Sequence, residues 1–509
     1  MPPTPNVLFL MTDQHRTDTL GCYGNPHVRT PALDRLAAQG TVFEACFTPT
    51  AICTPARASL LTGVMPFRHR LLANYERNVG YIEELSDAYP PFSARLRQAG
   101  YNVGLTGKWH VGRRRGPEEF GFDGVHFPGW HNPVYHPRYV GWLAERGLEV
   151  PEVREPVRGV FPNGQPGNLL AGRLDIPAGA TFEAFLAEET ISWLRAYAAD
   201  YHDRGRPFFM AAHFFGPHLP YLLPREYLEM YSPDLVTLPA SVSETFERKP
   251  MVQKRYSQHW TYDSLSGDTW RWLIAAYWGY VTLIDEQVGR ILAALDDLGL
   301  AGSTCVTFTA DHGEFTGSHR LHDKGPAMYD DSYRIPGILR VPGAPPQRRA
   351  EFASLLDYTA TILDIAGVAA DPDADGASLL PLARGENPPR PWRDAVLAEF
   401  HGHHFPYPQR MIRTRQAKLI VNPESLNELY DLERDPHELV NRYDDPAYQE
   451  IRDNLLHRLY TELRERGDNF HHWMTTMYPV GGKDYDTSLS DFEGTRHQEI
   501  RETGPAGRG

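Results

Sequence analysis

Short apolar runs alternate with longer amphipathic stretches along most of the chain. Four runs of strand length predict buried strands at residues 7–11, 101–105, 207–212 and 304–309. Apolar positions at helical spacing predict helices at residues 31–39, 94–98, 181–198 and 270–298. This alternation is typical of an α/β fold with a large, mostly parallel central sheet that is flanked by helices.

A different pattern begins at the proline-rich stretch of residues 386–391, which predicts a domain boundary. Beyond it, the sequence predicts antiparallel strands at residues 411–422 and 429–432, and a helix at residues 447–466. We therefore expect a large domain over residues 1–385, a smaller C-terminal α+β domain over residues 386–466, and a tail over residues 467–509. The tail is either an arm that wraps a neighbouring subunit of a homo-oligomer or a loose terminus.

Composition narrows the possible partners and compartment. The net charge of -14 argues against a nucleic-acid partner, because neutralising phosphates needs clustered Lys and Arg. Four scattered cysteines are too few for a disulfide framework, which suits a reducing compartment. No apolar run approaches the length of a membrane span, and the N-terminus lacks the pattern of a signal peptide. We therefore expect a cytoplasmic protein without a membrane-spanning segment.

Polar side chains with catalytic chemistry follow the predicted strands where each strand ends. In open α/β sheets this carboxyl edge is where ligands bind, so side chains that are distant in sequence are expected to meet there. The residues concerned are Asp13, Gln14, Lys108, His110, His218, Asp311 and His312.

Residues 53–63 (CTPARASLLTG) read as the start and end of a helix. Thr54 is predicted as the cap, Pro55 as the first helical residue and Gly63 as the stop. Cys53 would then lie just before a helix N-terminus, where free N–H groups and the helix dipole favour anions. Arg57, one turn further on, would add a guanidinium able to hold an anionic oxygen. The alternative is a buried structural cysteine before an ordinary helix.

Asp13 with Gln14 and Asp311 with His312 suggest a metal site that is divided between two strand ends. Carboxylate and amide oxygens suit calcium, magnesium or manganese, and an imidazole ligand leaves manganese or another transition metal open. The alternative for each pair is that its side chains tie down a turn.

The pattern Cys-x-Pro-x-Arg followed by Thr-Gly resembles the signature of type I sulfatases of the alkaline phosphatase superfamily, in which the cysteine is oxidised to formylglycine. Three further blocks resemble that family: Gly-Lys-Trp-His-x-Gly at residues 107–112, Pro-His-x-Pro at residues 217–220, and the segment around Lys324. A late block at residues 428–438 is similar to sulfatase C-terminal regions. The resemblance covers roughly residues 5–465 and implies an alkaline-phosphatase-like sandwich.

The resemblance also implies roles for individual residues. It implies that residue 53 becomes formylglycine through a formylglycine-generating enzyme, and that one divalent cation, most often Ca²⁺ with Mn²⁺ as an alternative, binds beside it. The implied metal ligands are Asp13, Gln14, Asp311, His312 and residue 53. Gln14 and His312 depart from the commonest ligand pattern of sulfatases, although both departures occur within the superfamily.

The mechanism that we hypothesise is hydrolysis of a small sulfate ester by hydrated formylglycine at residue 53. The metal and Arg57 lower the cost of ionising one hydroxyl of the hydrate. His218 protonates the leaving group, while Lys108 and Lys324 stabilise the transferred group. His110 then takes the proton of the second hydroxyl. Asn74 is a further predicted pocket residue.

Two other functions remain open from the sequence. One is a phosphonate monoester or phosphodiester hydrolase of the same superfamily, which the Asp-Gln and Asp-His pairs resemble. The other is a binding protein that keeps an unmodified Cys53 and does not turn substrate over. Residues 130–139 and 260–272 are predicted to contact the leaving group, and their composition does not distinguish sugar, phenol and alkyl sulfates.

Overall fold

Strand β1 (Asn6–Asp13) is buried along its whole length because helices cover both faces of its sheet. Leu8 and Leu10 pack into a core formed with helices on one face, whereas Val7, Phe9 and Met11 pack into the core on the other. A strand that is buried on both sides needs no polar alternation, which explains the continuous apolar run in the sequence.

The structure is a computed structural model that describes residues 5–80, 82–128, 133–388, 390–423 and 425–470. Its remaining strands are β2 (Thr41–Phe47), β3 (Asn102–Lys108), β4 (Asp123–Phe127), β5 (Val153–Val160), β6 (Pro166–Leu174), β7 (Phe208–Pro217), β8 (Tyr221–Pro224), β9 (Thr304–Ala310), β10 (Gly337–Arg340), β11 (Gln347–Ser354), β12 (Ala395–Gly402), β13 (Pro406–Thr414), β14 (Ala417–Val421) and β15 (Glu428–Asp431).

The α-helices of these residues are α1 (Pro31–Ala38), α2 (Cys53–Thr62), α3 (Pro66–His69), α4 (Phe92–Gln98), α5 (Pro137–Ala144), α6 (Phe182–Arg204), α7 (Arg225–Leu228), α8 (Met251–His259), α9 (Gly267–Asp297), α10 (Asp330–Tyr333), α11 (Asp357–Ile365), α12 (Leu380–Arg384) and α13 (Gln449–Glu465). None of them combines the length and the apolar character that crossing a bilayer requires.

The central sheet has eight strands in the order β11-β2-β10-β9-β1-β7-β3-β4. All neighbouring strands are parallel except β10, which runs antiparallel to both β9 and β2. Residues of α1, α6 and α9 form the core on one face, and residues of α2, α4 and α11 form it on the other. The predicted α/β fold with a large, mostly parallel sheet is therefore confirmed.

The predicted C-terminal antiparallel sheet is also present. It has four strands in the order β12-β13-β14-β15, each antiparallel to its neighbour. The sequence did not indicate β12, because the buried Glu399 and the partly buried His401 interrupt its apolar pattern. A third sheet contains β5, β6 and β8.

The chain divides into two compact units, of which the first ends at Tyr443 and the second begins at Asp444. All three sheets belong to the first unit, and helix α13 belongs to the second. The domain boundary at residues 385/386 stays a prediction. The proposed oligomerisation arm lies outside the described residues from residue 471 onward.

Candidate active site

The register of the central strands brings the predicted residues to one edge of the sheet. Strand β1 lies between β9 and β7, with Thr12 opposite Ala310 and Asp13 opposite Pro217. Asp311 and His218 therefore begin the loops on either side of Asp13. Lys108 ends β3, the strand on the other side of β7. Four strands thus deliver carboxylates, imidazoles and an ammonium to one place.

Cys53 is the first residue of helix α2, and its side chain is buried against this edge. The prediction that Thr54 caps the helix was wrong: the cap is Ile52, which has extended backbone angles and makes no side-chain cap hydrogen bond. The physical reason is tertiary, since the Thr54 N–H donates to Asn74 Oδ1 over 3.0 Å. Asn74 thereby satisfies a free N–H group of the first helical turn.

Asp13, Cys53, Asp311 and His312 form a buried cluster whose possible ligand atoms all lie within 4.8 Å of one another. His312 Nε2 lies 3.2 Å from Cys53 Sγ, 3.7 Å from Asp13 Oδ1 and 3.8 Å from Asp311 Oδ1. The other ring nitrogen of His312 is fixed by the carbonyl of Gly313 over 2.9 Å, as is usual for a metal-binding imidazole. These donors fit a divalent cation.

The two carboxyl groups of this cluster differ in their electrostatic environment. Burial and the charge of Asp13 raise the pKa of Asp311. Burial also acts against ionisation of Asp13, but Lys108, His218 and Arg57 lower its pKa to about 2. The difference arises because Lys108 forms an ion pair with Asp13 directly.

Arg57 ties the helix to both carboxylates. Its Nε donates to Asp311 Oδ2 over 2.9 Å, its Nη2 lies 3.4 Å from Asp13 Oδ2, and its Nη1 donates to the carbonyl of Lys108 over 3.0 Å. The guanidinium is buried, so these charge-assisted hydrogen bonds hold α2, β1 and β3 in a fixed geometry.

Positively charged side chains also act on Cys53. Burial alone would raise the pKa of the thiol, yet the charges of Lys108, Lys324 and His312 lower it well below its usual range. His110 contributes to this effect as a hydrogen-bonding neighbour of the thiol, while burial lowers its own pKa to about 4. The position therefore favours negative charge on residue 53.

Lys324 lies next to this site and contacts three polar side chains. Its Nζ lies 2.9 Å from each of three acceptors: Gln14 Oε1, His218 Nε2 and Asp323 Oδ1. The Gln14 amide oxygen thus faces Lys324, and its nitrogen donates to Glu314. The role of Gln14 as a metal ligand stays a prediction.

Two of these loop positions carry backbone strain. Gln14 and His110 both have positive φ angles, 63° and 54°, which cost residues other than glycine free energy. Such conformations persist where surrounding structure enforces them, and they concentrate at functional sites.

The structure brings two polar residues to the site that the sequence alone did not assign to it. Asp323 pairs with Lys324, and Glu314, whose pKa burial raises to about 8, contacts Gln14. In contrast, His213 contacts the site through its Nδ1, which lies 3.1 Å from the carbonyl oxygen of Lys108 and donates to it. His319 stacks on Tyr329 with ring centroids 3.5 Å apart. No periodicity in the sequence marks Asp323 or Glu314, because both lie in a long loop after β9.

The site combines a cysteine at a helix start with side chains that can bind a metal and with buried cations. This combination is typical of enzymes that hydrolyse anionic esters. Comparison with known proteins identifies the family. The family model described as Sulfatase matches residues 5–368, and the model described as N-sulphoglucosamine sulphohydrolase, C-terminal, matches residues 317–466. The chain belongs to the sulfatase family and is a sulfuric ester hydrolase.

Relatives match over almost the whole chain. The chain is 29% identical over 485 residues to the uncharacterized sulfatase YidJ of Escherichia coli K12, covering 93% of this chain and 90% of the relative. It is 29% identical over 503 residues to an arylsulfatase of Clostridium perfringens, covering 94% and 98%. The crystal structure of a phosphonate monoester hydrolase of Agrobacterium radiobacter superposes with a TM-score of 0.74 at 26% identity, covering 91% and 96%.

Proposed function

We propose that this sulfatase hydrolyses small sulfate monoesters, arylsulfate esters among them, after oxidation of Cys53 to formylglycine. One observation carries the proposal: Cys53 belongs to a buried cluster with Asp13, Asp311 and His312, and the positive charges of Lys108 and Lys324 act on its thiol. The sulfatase family generally uses formylglycine and a divalent metal. A hydrated aldehyde at residue 53 would supply an oxygen nucleophile where the thiol now lies.

Asp13, Gln14, residue 53, Asp311 and His312 are the residues that would hold the cation. When bound, the cation lowers the pKa of a neighbouring hydroxyl and neutralises charge on the ester. Two carboxylates favour Ca²⁺, and the imidazole of His312 keeps Mn²⁺ as an alternative. Arg57 orients the carboxylates, because its guanidinium contacts both of them.

His218 and Lys324 are the residues that we assign to the leaving group. Lys324 Nζ lies 2.9 Å from His218 Nε2, so the ammonium donates to this ring nitrogen and can pass a proton to it. His218 can then protonate the departing oxygen. Lys108 faces the transferred sulfuryl group, whose negative charge it stabilises.

His110 is assigned to the second half of the reaction. It lies beside residue 53 and burial lowers its pKa to about 4, so its ring is neutral at pH 7 and able to accept a proton. Once His110 accepts the proton of the remaining hydroxyl, that oxygen would form the aldehyde C=O while the bond from the residue 53 carbon to the sulfated oxygen breaks and sulfate leaves. Asn74 supports the site by holding the first turn of α2, and we keep it as a substrate-binding residue in this proposal.

Hydrolysis of phosphonate monoesters or phosphodiesters is the second candidate function. It is favoured by the pairing of Asp13-Gln14 with Asp311-His312 and by the structural similarity to a phosphonate monoester hydrolase. Monoanionic sulfate esters and phosphodiesters carry the same charge, so one site can accept both. A non-catalytic anion-binding protein is the third candidate, and it requires an unmodified thiol at residue 53.

Maturation requires a formylglycine-generating enzyme as partner, and we place it with this sulfatase in the cytoplasm. What supports this proposal is that the sequence has only four, scattered cysteines, too few for a disulfide framework. We propose a dimer or tetramer in which residues 467–509 contribute an arm.

Steady-state rates on an aryl sulfate, a phosphodiester and a phosphonate monoester test the proposed function. We expect the highest kcat/KM for the aryl sulfate and loss of all three activities in Cys53→Ala. A higher kcat/KM for the phosphonate monoester would establish the second candidate instead. Full sulfatase activity in Cys53→Ala would refute the assignment of the nucleophile.

A further inference from the structure

A second cluster of ligand-type side chains lies in the same unit, outside the site described above. It consists of Glu76, His403 and His404, whose possible ligand atoms all lie within 4.8 Å of one another. Glu76 belongs to the loop after α3, and the histidines form the turn between β12 and β13. Three histidines within four residues, at positions 401, 403 and 404, are a composition typical of metal-binding segments.

The distances within this cluster are wrong for hydrogen bonds and suitable for an ion. His403 Nε2 and His404 Nδ1 each lie 3.8 Å from Glu76 Oε1, which exceeds hydrogen-bond length. A tetrahedral Zn²⁺ with bonds of about 2.1 Å separates its ligand atoms by about 3.4 Å. A contraction of a few tenths of an ångström would therefore bring each imidazole nitrogen and the Glu76 oxygen to that separation, and the possible ligand atoms of the two histidines lie within 4.8 Å of each other.

Each ligand is oriented by a neighbour, as ligands of built metal sites are. His403 Nδ1 lies 3.1 Å from the hydroxyl of Tyr256, which leaves Nε2 facing Glu76. Glu76 accepts hydrogen bonds from the backbone N–H of His404 over 3.1 Å and from that of Tyr75 over 3.0 Å. His404 has a positive φ of 69°, so its backbone is held in a strained conformation with its ring towards the carboxylate.

The cluster is mostly buried, but one of its histidines is partly exposed to solvent. Glu76 and His403 are buried, whereas the side chain of His404 is 32% exposed. An ion could reach the site through His404, and three protein ligands would leave a coordination position for water or another oxygen. Tyr256 also packs on Gly325, the residue after Lys324, so the cluster lies beside the loop that carries this lysine.

We propose that Glu76, His403 and His404 form a second metal site, distinct from the cluster at Asp13 and Asp311. The site takes a first-row divalent cation that prefers nitrogen and oxygen ligands, with Zn²⁺ the best match to two imidazoles and one carboxylate. It stands independently of the chemistry proposed at residue 53. Tyr256 is a positioning residue for His403.

The test is the zinc content of the full-length protein after chelation, reloading with Zn²⁺ and desalting. We expect His404→Gln and Glu76→Gln each to lose one bound zinc relative to the unmutated protein. His259→Gln, which removes an exposed histidine from the end of helix α8, is the matched control and should keep it. Tyr256→Phe should retain the zinc with an affinity lowered by about tenfold.

A further variant separates this site from the first cluster. Asp311→Asn should leave the zinc that depends on His404 in place, whatever becomes of the metal at Asp13 and Asp311. His404 is partly exposed, so His404→Gln is expected to keep the far-ultraviolet circular dichroism and unfolding temperature of the unmutated apoprotein. Equal zinc content and affinity in the unmutated protein, His404→Gln and Glu76→Gln would overturn the proposal, even if sulfatase activity were normal.

Discussion

Arg57 Nε donates to Asp311 Oδ2 over 2.9 Å, although the two residues are separated by 254 positions in the chain. Both side chains are buried, so this pair fixes the start of helix α2 against the end of strand β9. Residue 53, the first residue of α2, is thereby held beside Asp13, Asp311 and His312. The pair is thus the link between the fold and the proposed chemistry.

Arg57→Lys tests whether the planar fork of the guanidinium is needed. Lysine keeps the charge but cannot contact Asp311, Asp13 and the carbonyl of Lys108 together, so we expect kcat/KM to fall by about 10²–10³-fold. Arg57→Ala should in addition lower the free energy of unfolding by about 3–5 kcal/mol, because it leaves a buried carboxylate unpaired. Rates and urea unfolding measure the two effects. Unchanged kcat/KM in Arg57→Lys would show that the guanidinium of Arg57 is not needed for catalysis.

His218→Ala tests the assignment to the leaving group. Loss of a general acid should reduce kcat by about 10²–10⁴-fold for an alkyl sulfate, which leaves poorly without a proton. The loss should be much smaller for 4-nitrophenyl sulfate, whose leaving group needs little protonation. Equal losses on both substrates would show that His218 acts in another step. His202→Gln, at an exposed helical histidine, is the control.

Metal removal should separate a catalytic from a structural role of the carboxylate cluster. We expect chelation to abolish sulfatase activity and Ca²⁺ or Mn²⁺ to restore it. At a concentration of about 100 times Kd, the cation should stabilise the fold by about 2.7 kcal/mol, seen as a rise in the unfolding temperature. Asp311→Asn should weaken both effects. Full activity in metal-free protein would contradict the assignment of Asp13, Asp311 and His312.

Two glycines with positive φ offer a test of the packing beside the site. At Gly107, in strand β3, an added Cβ would lie 1.9 Å from the carbonyl oxygen of His213, whereas at Gly100 no heavy atom lies within 4 Å. Both substitutions by alanine incur backbone strain of roughly 1–2 kcal/mol. Gly107→Ala should be more destabilising than Gly100→Ala, measured from urea midpoints at constant slope. Equal values would mean that the strands separate easily at this position.

Strand-end chemistry was predictable from sequence because it follows from local pattern. Asp13, Lys108, His218 and Asp311 each come at the end of an apolar run, and parallel strands bring such ends together. The functional role of Cys53 was predictable because its motif places the uncommon residue types Cys, Pro and Arg at fixed spacing.

Contacts made by loops could not be predicted in the same way. Asn74, rather than Thr54, satisfies the start of helix α2, and the two residues meet only through tertiary structure. Glu76 meets His403 across more than 300 residues for the same reason. Strand β12 was missed because Glu399, which forms ion pairs with His401 and Arg410, is a charged residue in a buried strand.

The central claim is that residue 53 works as an aldehyde and that the thiol is its precursor. Mass spectrometry of the peptide ending at Arg57, from active protein purified from its native host, tests this claim most directly. We predict exchange of one sulfur for one oxygen at residue 53 with loss of two hydrogens. An intact thiol at residue 53 in fully active protein would contradict the account.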